Sequence, residues 1–138
     1  MTKSFAELGL SAEVTSQLHF LANYTNLDAR NDARGTSNFG RFLARRPRES
    51  ANAELSYAWS RPLVTTIAGQ YVGRSFDNAA NSSVLDGYVL VDLRAAYTVS
   101  DQMEIYGRIE NLFDEDYETI RRYGSIGRGG YVGFRQSF

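Results

Sequence analysis

Seven stretches of this 138-residue sequence alternate apolar and polar side chains in steps of two, and the connections between them are short and long in rotation. Period two is the signature of a β-strand, because successive side chains leave opposite faces. Short connections fall at Glu13 to Ser16, Ser60-Arg61-Pro62 and Val99-Ser100-Asp101; long polar ones fall at Ala29 to Arg46, Asp77 to Asp86 and Asp114 to Arg128. In an up-and-down meander this rotation puts every short turn at one end of the sheet and every long loop at the other. That segregation is the pattern of a bacterial outer-membrane barrel, and a soluble sandwich has no reason to adopt it.

The expected strands are Phe5 to Glu13, Gln17 to Asp28, Arg48 to Trp59, Leu63 to Phe76, Gly87 to Thr98, Gln102 to Asn111 and Gly130 to Phe138. The third is the clearest, with Ala53, Leu55, Tyr57 and Trp59 opposite Asn52, Glu54, Ser56 and Ala58. In the second, Leu21 is an apolar exception on the polar side. The fourth is weaker, since Val64 and Val72 share the face of Gln70 and Arg74. Nine Tyr, eight Phe and only two Pro suit strands throughout.

The length suits one domain, and a charged fraction of 22% beside a hydrophobic fraction of 43% gives no sign of disorder. One soluble domain is the simplest alternative. Mean hydropathy is -0.37, and no apolar run approaches the roughly 18 residues of a membrane helix. A membrane barrel stays open, because its alternating strands average out as polar. A net charge of -1 gives no overall attraction to nucleic acid, and the absence of cysteine removes disulfides and thiolate chemistry. The opening Met1 to Glu7 is no secretory signal, so an exported protein would have its true N-terminus elsewhere.

Aromatic positions give a second test, since Tyr and Trp favour the membrane interface. Tyr57, Trp59 and Tyr97 end strands at short turns and form one expected girdle; Tyr24 and Tyr71 lie nearer the long loops and form the other. Leu55, Tyr57, Trp59, Ile105 and Phe134 are expected to face lipid, with Glu54, Asp92, Arg94, Glu104 and Arg108 on the hollow side. Charges in mid-strand are costly in a dry core, whereas a wet or plugged lumen solvates them. Seven is also an odd number, and an antiparallel ring closes with an even one, so a partial barrel is expected.

No cluster of reactive side chains stands out. His19 has no second His or Cys and no serine nucleophile pattern beside it, so it reads as a polar lumen residue. Asp114, Glu115, Asp116 and Glu118 lack calcium-loop spacing and read as a solvated loop. Gly127 to Gly130 does not follow a strand and open a helix, as a phosphate loop must. Arg41, Arg45, Arg46 and Arg48 suit lipopolysaccharide phosphates or an anionic cargo, and equally a solvated basic loop.

The run Glu110-Asn111-Leu112-Phe113-Asp114-Glu115-Asp116-Tyr117-Glu118-Thr119, with Tyr123, Gly127-Arg128 and a final strand ending in Phe138, resembles the C-terminus of TonB-dependent receptors, and most of all the cobalamin receptors. Arg46-Pro47-Arg48, Tyr71-Val72-Gly73-Arg74 and Tyr88 with Val91-Asp92-Leu93 add to the likeness, which spans nearly the whole chain. The resemblance implies an all-β fold, the last seven strands of a 22-stranded transmembrane barrel closed by a plug. Residues 1–138 would be that C-terminal segment, with the plug and earlier strands absent. It further implies TonB-driven uptake of a scarce metal chelate, cobalamin or a ferric siderophore, with no cofactor and no catalysis. Implied partners are the plug and the rest of the barrel, the TonB system, outer-membrane lipid and lipopolysaccharide, and the barrel-assembly machinery, for which Phe138 is the signal. The long loops are the outward-facing parts able to fold over a cargo, which singles out Asn38, Arg41, Arg45, Arg121 and Tyr123. Two alternatives remain: a small adhesin-like or structural barrel, which needs an eighth strand, and a soluble ligand-binding barrel, which needs the aromatic face to point inward.

Overall fold

In a computed structural model, which describes residues 2–60 and 62–137, the chain is built from β1 (Thr2–Glu13), β2 (Leu18–Arg30), β3 (Glu49–Ser60), β4 (Leu63–Val72), β5 (Ser75–Phe76), β6 (Val84–Leu85), β7 (Tyr88–Ser100), β8 (Met103–Glu110), β9 (Glu118–Ile120), β10 (Tyr123–Gly124) and β11 (Gly129–Gln136). The seven long strands make one antiparallel sheet in the order β1-β2-β3-β4-β7-β8-β11. Each strand pairs with its sequence neighbour among the long strands, so all three long loops leave one end and all three tight turns the other. The first tight turn is closed by Thr15, whose hydroxyl accepts from the backbone N–H of Gln17 and of Leu18. Phe138 lies outside the described residues.

Two expectations need correction. The stretch Leu63 to Phe76 is not one strand: β4 stops at Val72. There Gly73 turns toward β3, its N–H donating 2.8 Å to the Glu49 carbonyl, and the chain goes on to pair β5 with β6. The long loops also carry the hairpins β5-β6 and β9-β10. Strands of two or three residues give no readable period, which is why sequence alone missed them.

The register sorts side chains into rows that cross the whole sheet. Phe20, Leu55, Ile67, Leu93 and Ile109 stand side by side on one face, with Leu18, Tyr57, Thr65, Ala95, Gly107 and Val132 two residues along. On the other face run Asn23, Asn52, Gln70 and Leu90, then Leu21, Glu54, Ala68 and Asp92, then His19, Ser56, Thr66, Arg94, Arg108 and Tyr131. The polar face is the hollow one, since it lines a concavity of about 380 Å³ containing Asn23, Asn52, Glu54, Gln70, Asp92 and Arg94. Leu21 sits there too, as the sequence pattern required.

Among the described residues no protein core lies behind the apolar face. Leu55, Ile67 and Leu93, in mid-strand, are 39, 44 and 37% exposed. Among the described residues the buried hydrophobic ones are Ala29, near the loop end of β2 where Leu43 of the first loop bonds to it, and Leu85 in β6 of the second loop, neither of them in mid-strand of the wall. Accessible surface totals 9923 Å², against about 7,200 Å² for a compact soluble monomer of this mass. An apolar face this open is stable only against hydrocarbon.

Aromatic rings bound that face at both ends. Ala51, registered with Tyr24 and Tyr71, lies eight residues before Trp59 on β3. At roughly 3.3 Å per residue and a strand tilt near 40°, that interval rises about 20 Å along a barrel axis, and the rings extend it toward the ~25 Å apolar band of the outer membrane. Tyr57 and Trp59 meet edge to face at 4.8 Å. The Trp59 indole N–H donates to the Thr65 hydroxyl at 2.8 Å, so its polar edge is satisfied.

Charges on the hollow face are neutralised locally. Arg94 and Arg108 are direct cross-strand neighbours, a repulsive placement. Each has its own partner: Arg94 meets Glu54 at 3.5 Å, and Arg108 meets Glu110 at 3.2 Å while its guanidinium lies 4.5 Å over the Tyr131 ring. Arg135 pairs with Glu104 at 3.3 Å.

Candidate functional site

The three long loops form one cap. Asn31 and Leu43 fold the first loop back on β2, through Asn31 N–H to the Arg41 carbonyl and Leu43 N–H to the Ala29 carbonyl, both 2.9 Å. At the base of this loop, beyond the Tyr24 girdle and outside the lipid band, Arg30 donates two bonds to the Asp28 carboxylate. That contact holds the Asp28 carboxyl below the usual carboxylate range.

The second loop carries bonds to both others. Phe42 N–H donates to the Asn81 side-chain oxygen at 2.8 Å, and the Asn81 amide donates back to the Phe42 carbonyl at 2.9 Å. One side chain thus imitates a strand partner, satisfying both backbone groups of Phe42. Asn81 has φ 54, a left-handed conformation that asparagine tolerates better than most residues. Arg41 donates to the Ala80 carbonyl. Arg45, itself left-handed at φ 55, donates through its backbone N–H to the Phe76 carbonyl at 2.6 Å and through Nε to Asp77 at 3.0 Å. The Phe42 ring stacks on Phe76 at 6.2 Å and takes the guanidinium groups of Arg30 and Arg48 at 4.1 and 5.0 Å. On the other side, Arg121 of the third loop donates 2.8 Å to the buried Ser83 hydroxyl.

The Asn111-Leu112-Phe113-Asp114 run is the hinge between β8 and the third loop. Asn111 is buried and left-handed at φ 50. Its side chain accepts from Glu115 N–H at 2.8 Å and donates to the Glu115 carbonyl at 3.0 Å, while its own N–H donates to Asp92. Asp114, also left-handed at φ 58, accepts from Arg128 N–H at 2.7 Å and so pulls the start of β11 back beside the end of β8. The motif therefore closes the last hairpin.

A cleft of about 870 Å³ opens where β3, β4 and β7 run into the cap. Tyr71 and Val89 line it from the apolar rows and Arg48 and Tyr88 from the polar ones, so it sits astride the rim of the sheet. Four aromatic rings (Phe42, Tyr71, Phe76, Tyr88) line it, Phe42 already engaged by Phe76, Arg30 and Arg48, and Arg48, Arg74, Glu49, Asp86 and Glu115 bring charges of both signs. Among the described residues no group of three metal-ligating side chains occurs. The arrangement is suited to holding a large polar ligand.

Gly87 is what allows the strand to enter this rim. A Cβ there would lie 2.8 Å from the Val72 carbonyl oxygen and 3.2 Å from the Arg74 backbone nitrogen, neither of which is a flexible atom. In the full receptor, Gly87→Ala should therefore destabilise the cap by about 1–3 kcal/mol. Limited proteolysis is the measurement: the loops should be cut at lower protease concentration, while Gly124→Ala, which meets open space, should behave as wild type.

The residues singled out by sequence separate into two groups. Arg41, Arg45 and Arg121 are brought together as loop-to-loop contacts. Tyr123 is 70% exposed on the third loop, and Asn38 is half-buried in the first, its carbonyl accepting from Arg41 N–H at 3.2 Å. Phe42, Asn81, Asn111 and Ser83 were missed. Only Asn111 had a signal, its place in the motif; the others act through partners some 40 positions away in the chain.

A lipid-facing apolar band between aromatic girdles, a charged hollow face and long loops gathered at one end define a section of outer-membrane β-barrel wall. The family model described as TonB dependent receptor-like, beta-barrel matches residues 6–112, and the chain belongs to that family. It is a family of receptors rather than enzymes. Over 118 residues the chain is 36% identical to the vitamin B12 transporter BtuB of Photobacterium profundum, a match covering 86% of this chain and 18% of that protein. The siderophore receptor PiuA from Acinetobacter baumannii superposes with a TM-score of 0.81 at 23% identity, over 97% of this chain and 21% of that one. The ferric yersiniabactin uptake receptor FyuA from Yersinia pestis gives 0.79 at 18% identity, over 99% and 23%. At such identities the structures share the fold. The chain spans about a fifth of the length of these relatives.

Proposed function

We propose that the protein to which this chain belongs takes up a metal chelate across the outer membrane, cobalamin before a ferric siderophore, and that the capped end of this wall section helps to catch it. The match to a vitamin B12 transporter over 86% of the chain carries the choice of cargo. In this reading residues 1–138 are the C-terminal wall, a plug and further strands complete the barrel, TonB supplies the energy and lipopolysaccharide surrounds the loop end. The assembly machinery reads Phe138. Nothing here performs chemistry.

The cleft supports the reading physically. Its rings and mixed charges suit a rigid, amide-rimmed or carboxylate-bearing chelate better than a lipid tail. Arg74 is the cleft cation offered for direct contact. Asn38 and Tyr123 are offered as outer contacts, while Arg41, Arg45 and Arg121 act indirectly by shaping the cap. The test is equilibrium binding of labelled cobalamin and of ferric siderophores to cells carrying the full receptor, with and without Arg74→Ala. Cobalamin should bind saturably, and losing one charge-assisted contact should weaken it about tenfold or more. Binding of siderophores alone would move the assignment to iron uptake. Capture of neither would overturn it. Deleting residues 35–43 would be a poorer test, since it removes Arg41 and Phe42 and with them the anchorage of the second loop.

A further inference from the structure

The second long loop stands between the other two, and its bonds to them converge on a few atoms. Toward the first loop, Asn81 holds both backbone groups of Phe42, and Arg45 reaches Phe76 and Asp77. Toward the third, the buried Ser83 hydroxyl accepts from Arg121. Asn81 and Ser83 are two residues apart in the tip that joins β5 to β6. Asn78 braces that tip, its side-chain oxygen accepting from Ser82 N–H at 3.0 Å and its carbonyl from Asn81 N–H at 3.1 Å. Left-handed residues stand on both sides of the first seam, Arg45 at φ 55 and Asn81 at φ 54, and each of them bonds across it.

We propose that Asn81 is a positioning residue that couples the three long loops into a single moving body, so that the cleft at the rim opens or closes only when all three shift together. The first loop cannot leave without unpairing both Phe42 backbone groups and unstacking Phe42 from Phe76. When it leaves, the Asn78–Ser83 tip loses its bonds to Phe42 and Arg41, and with them support for the surface to which Arg121 is tied. The purpose assigned to this coupling, control of access to the cleft, rests on the uptake reading. The coupling itself does not.

Hydrogen exchange of the full receptor in detergent micelles separates the possibilities, using Asn81→Gly and Ser83→Ala. Glycine allows the left-handed backbone and removes the clasp, together with one 3.3 Å bond from the Asn81 amide to the Asn78 carbonyl inside the same loop. Asn81→Gly should speed exchange about tenfold around Phe42, the size expected from losing two ordinary hydrogen bonds, and should speed the third loop around Arg121 as well. Ser83→Ala, which touches only the third loop, should in turn speed the first. Exchange in β3 and β7 should not change, which shows that the barrel is intact. If each variant speeds only the loop it contacts, the loops move independently and the proposal is wrong. It is equally wrong if Asn81→Gly leaves Phe42 unchanged. A receptor that captures no cargo at all, but whose loops still respond together, would count against the uptake reading and leave the coupling standing.

Discussion

Prepared on its own in detergent, the 138-residue chain should give mixed oligomers and aggregates rather than a monodisperse, heat-resistant monomer. β1 and β11 each have a hydrogen-bonded neighbour on one side only. On the other side, every second residue presents its N–H and C=O outward. In hydrocarbon each such unpaired group costs several kcal/mol, so two bare edges of 12 and 8 residues outweigh any contribution from surface ion pairs. An all-antiparallel ring cannot close on these edges, because the first and seventh strands of a meander run parallel. Two upright copies side by side meet the same obstacle. Size-exclusion chromatography with light scattering, and gel migration with and without boiling, would measure the outcome. A compact monomer that unfolds only on boiling would mean that the wall closes by itself and would remove the reading of these strands as part of a larger barrel.

In the full receptor, Leu55→Arg should be among the most damaging single substitutions in this segment, at about 2–4 kcal/mol, whereas Glu54→Gln next to it should cost less than about 1 kcal/mol. Leu55 stands midway between the Ala51 row, level with Tyr24 and Tyr71, and Trp59, and it is flanked by Phe20 and Ile67. A guanidinium there sits at the bilayer midplane. Glu54 points to the hollow face and loses only a half-exposed pairing with Arg94 at 3.5 Å. Denaturant midpoints of the receptor in lipid vesicles give both numbers. A neutral Leu55→Arg beside a costly Glu54→Gln would mean that the faces are reversed.

Much of this was readable from the chain because a strand in a barrel wall answers to local rules. A period of two places Leu55 with Tyr57 and Trp59 whatever the rest of the protein does, and the register then needs only neighbouring hairpins to carry that face across the sheet. The rotation of connection lengths assigned the two ends for the same reason. Reading failed first at Gly73, where the pattern through Phe76 still looked like strand but a close approach to the Glu49 carbonyl redirects the chain. The alternation of side chains says nothing about such a contact between backbones.

The cap was legible in location and illegible in role. Arg41, Arg45 and Arg121 were noticed as cations on outward loops, the position a cargo-binding residue would occupy. Whether a cation on a loop is available or already engaged depends on which carbonyls, carboxylates and hydroxyls the fold brings to it, and here those belong to Ala80, Asp77 and Ser83, more than thirty residues distant in every case. Phe42 and Asn81 carried no signal at all, being a lone aromatic and a lone amide until the two loops meet. By itself, then, the sequence determined the number of long strands in the wall, the lipid and hollow faces and the end at which the loops gather, because all of these follow from side-chain period and connection length. Tertiary structure alone decided how the loops interlock, where the cleft lies and which arginines face it, because those are settled by hydrogen bonds between segments that no local pattern links.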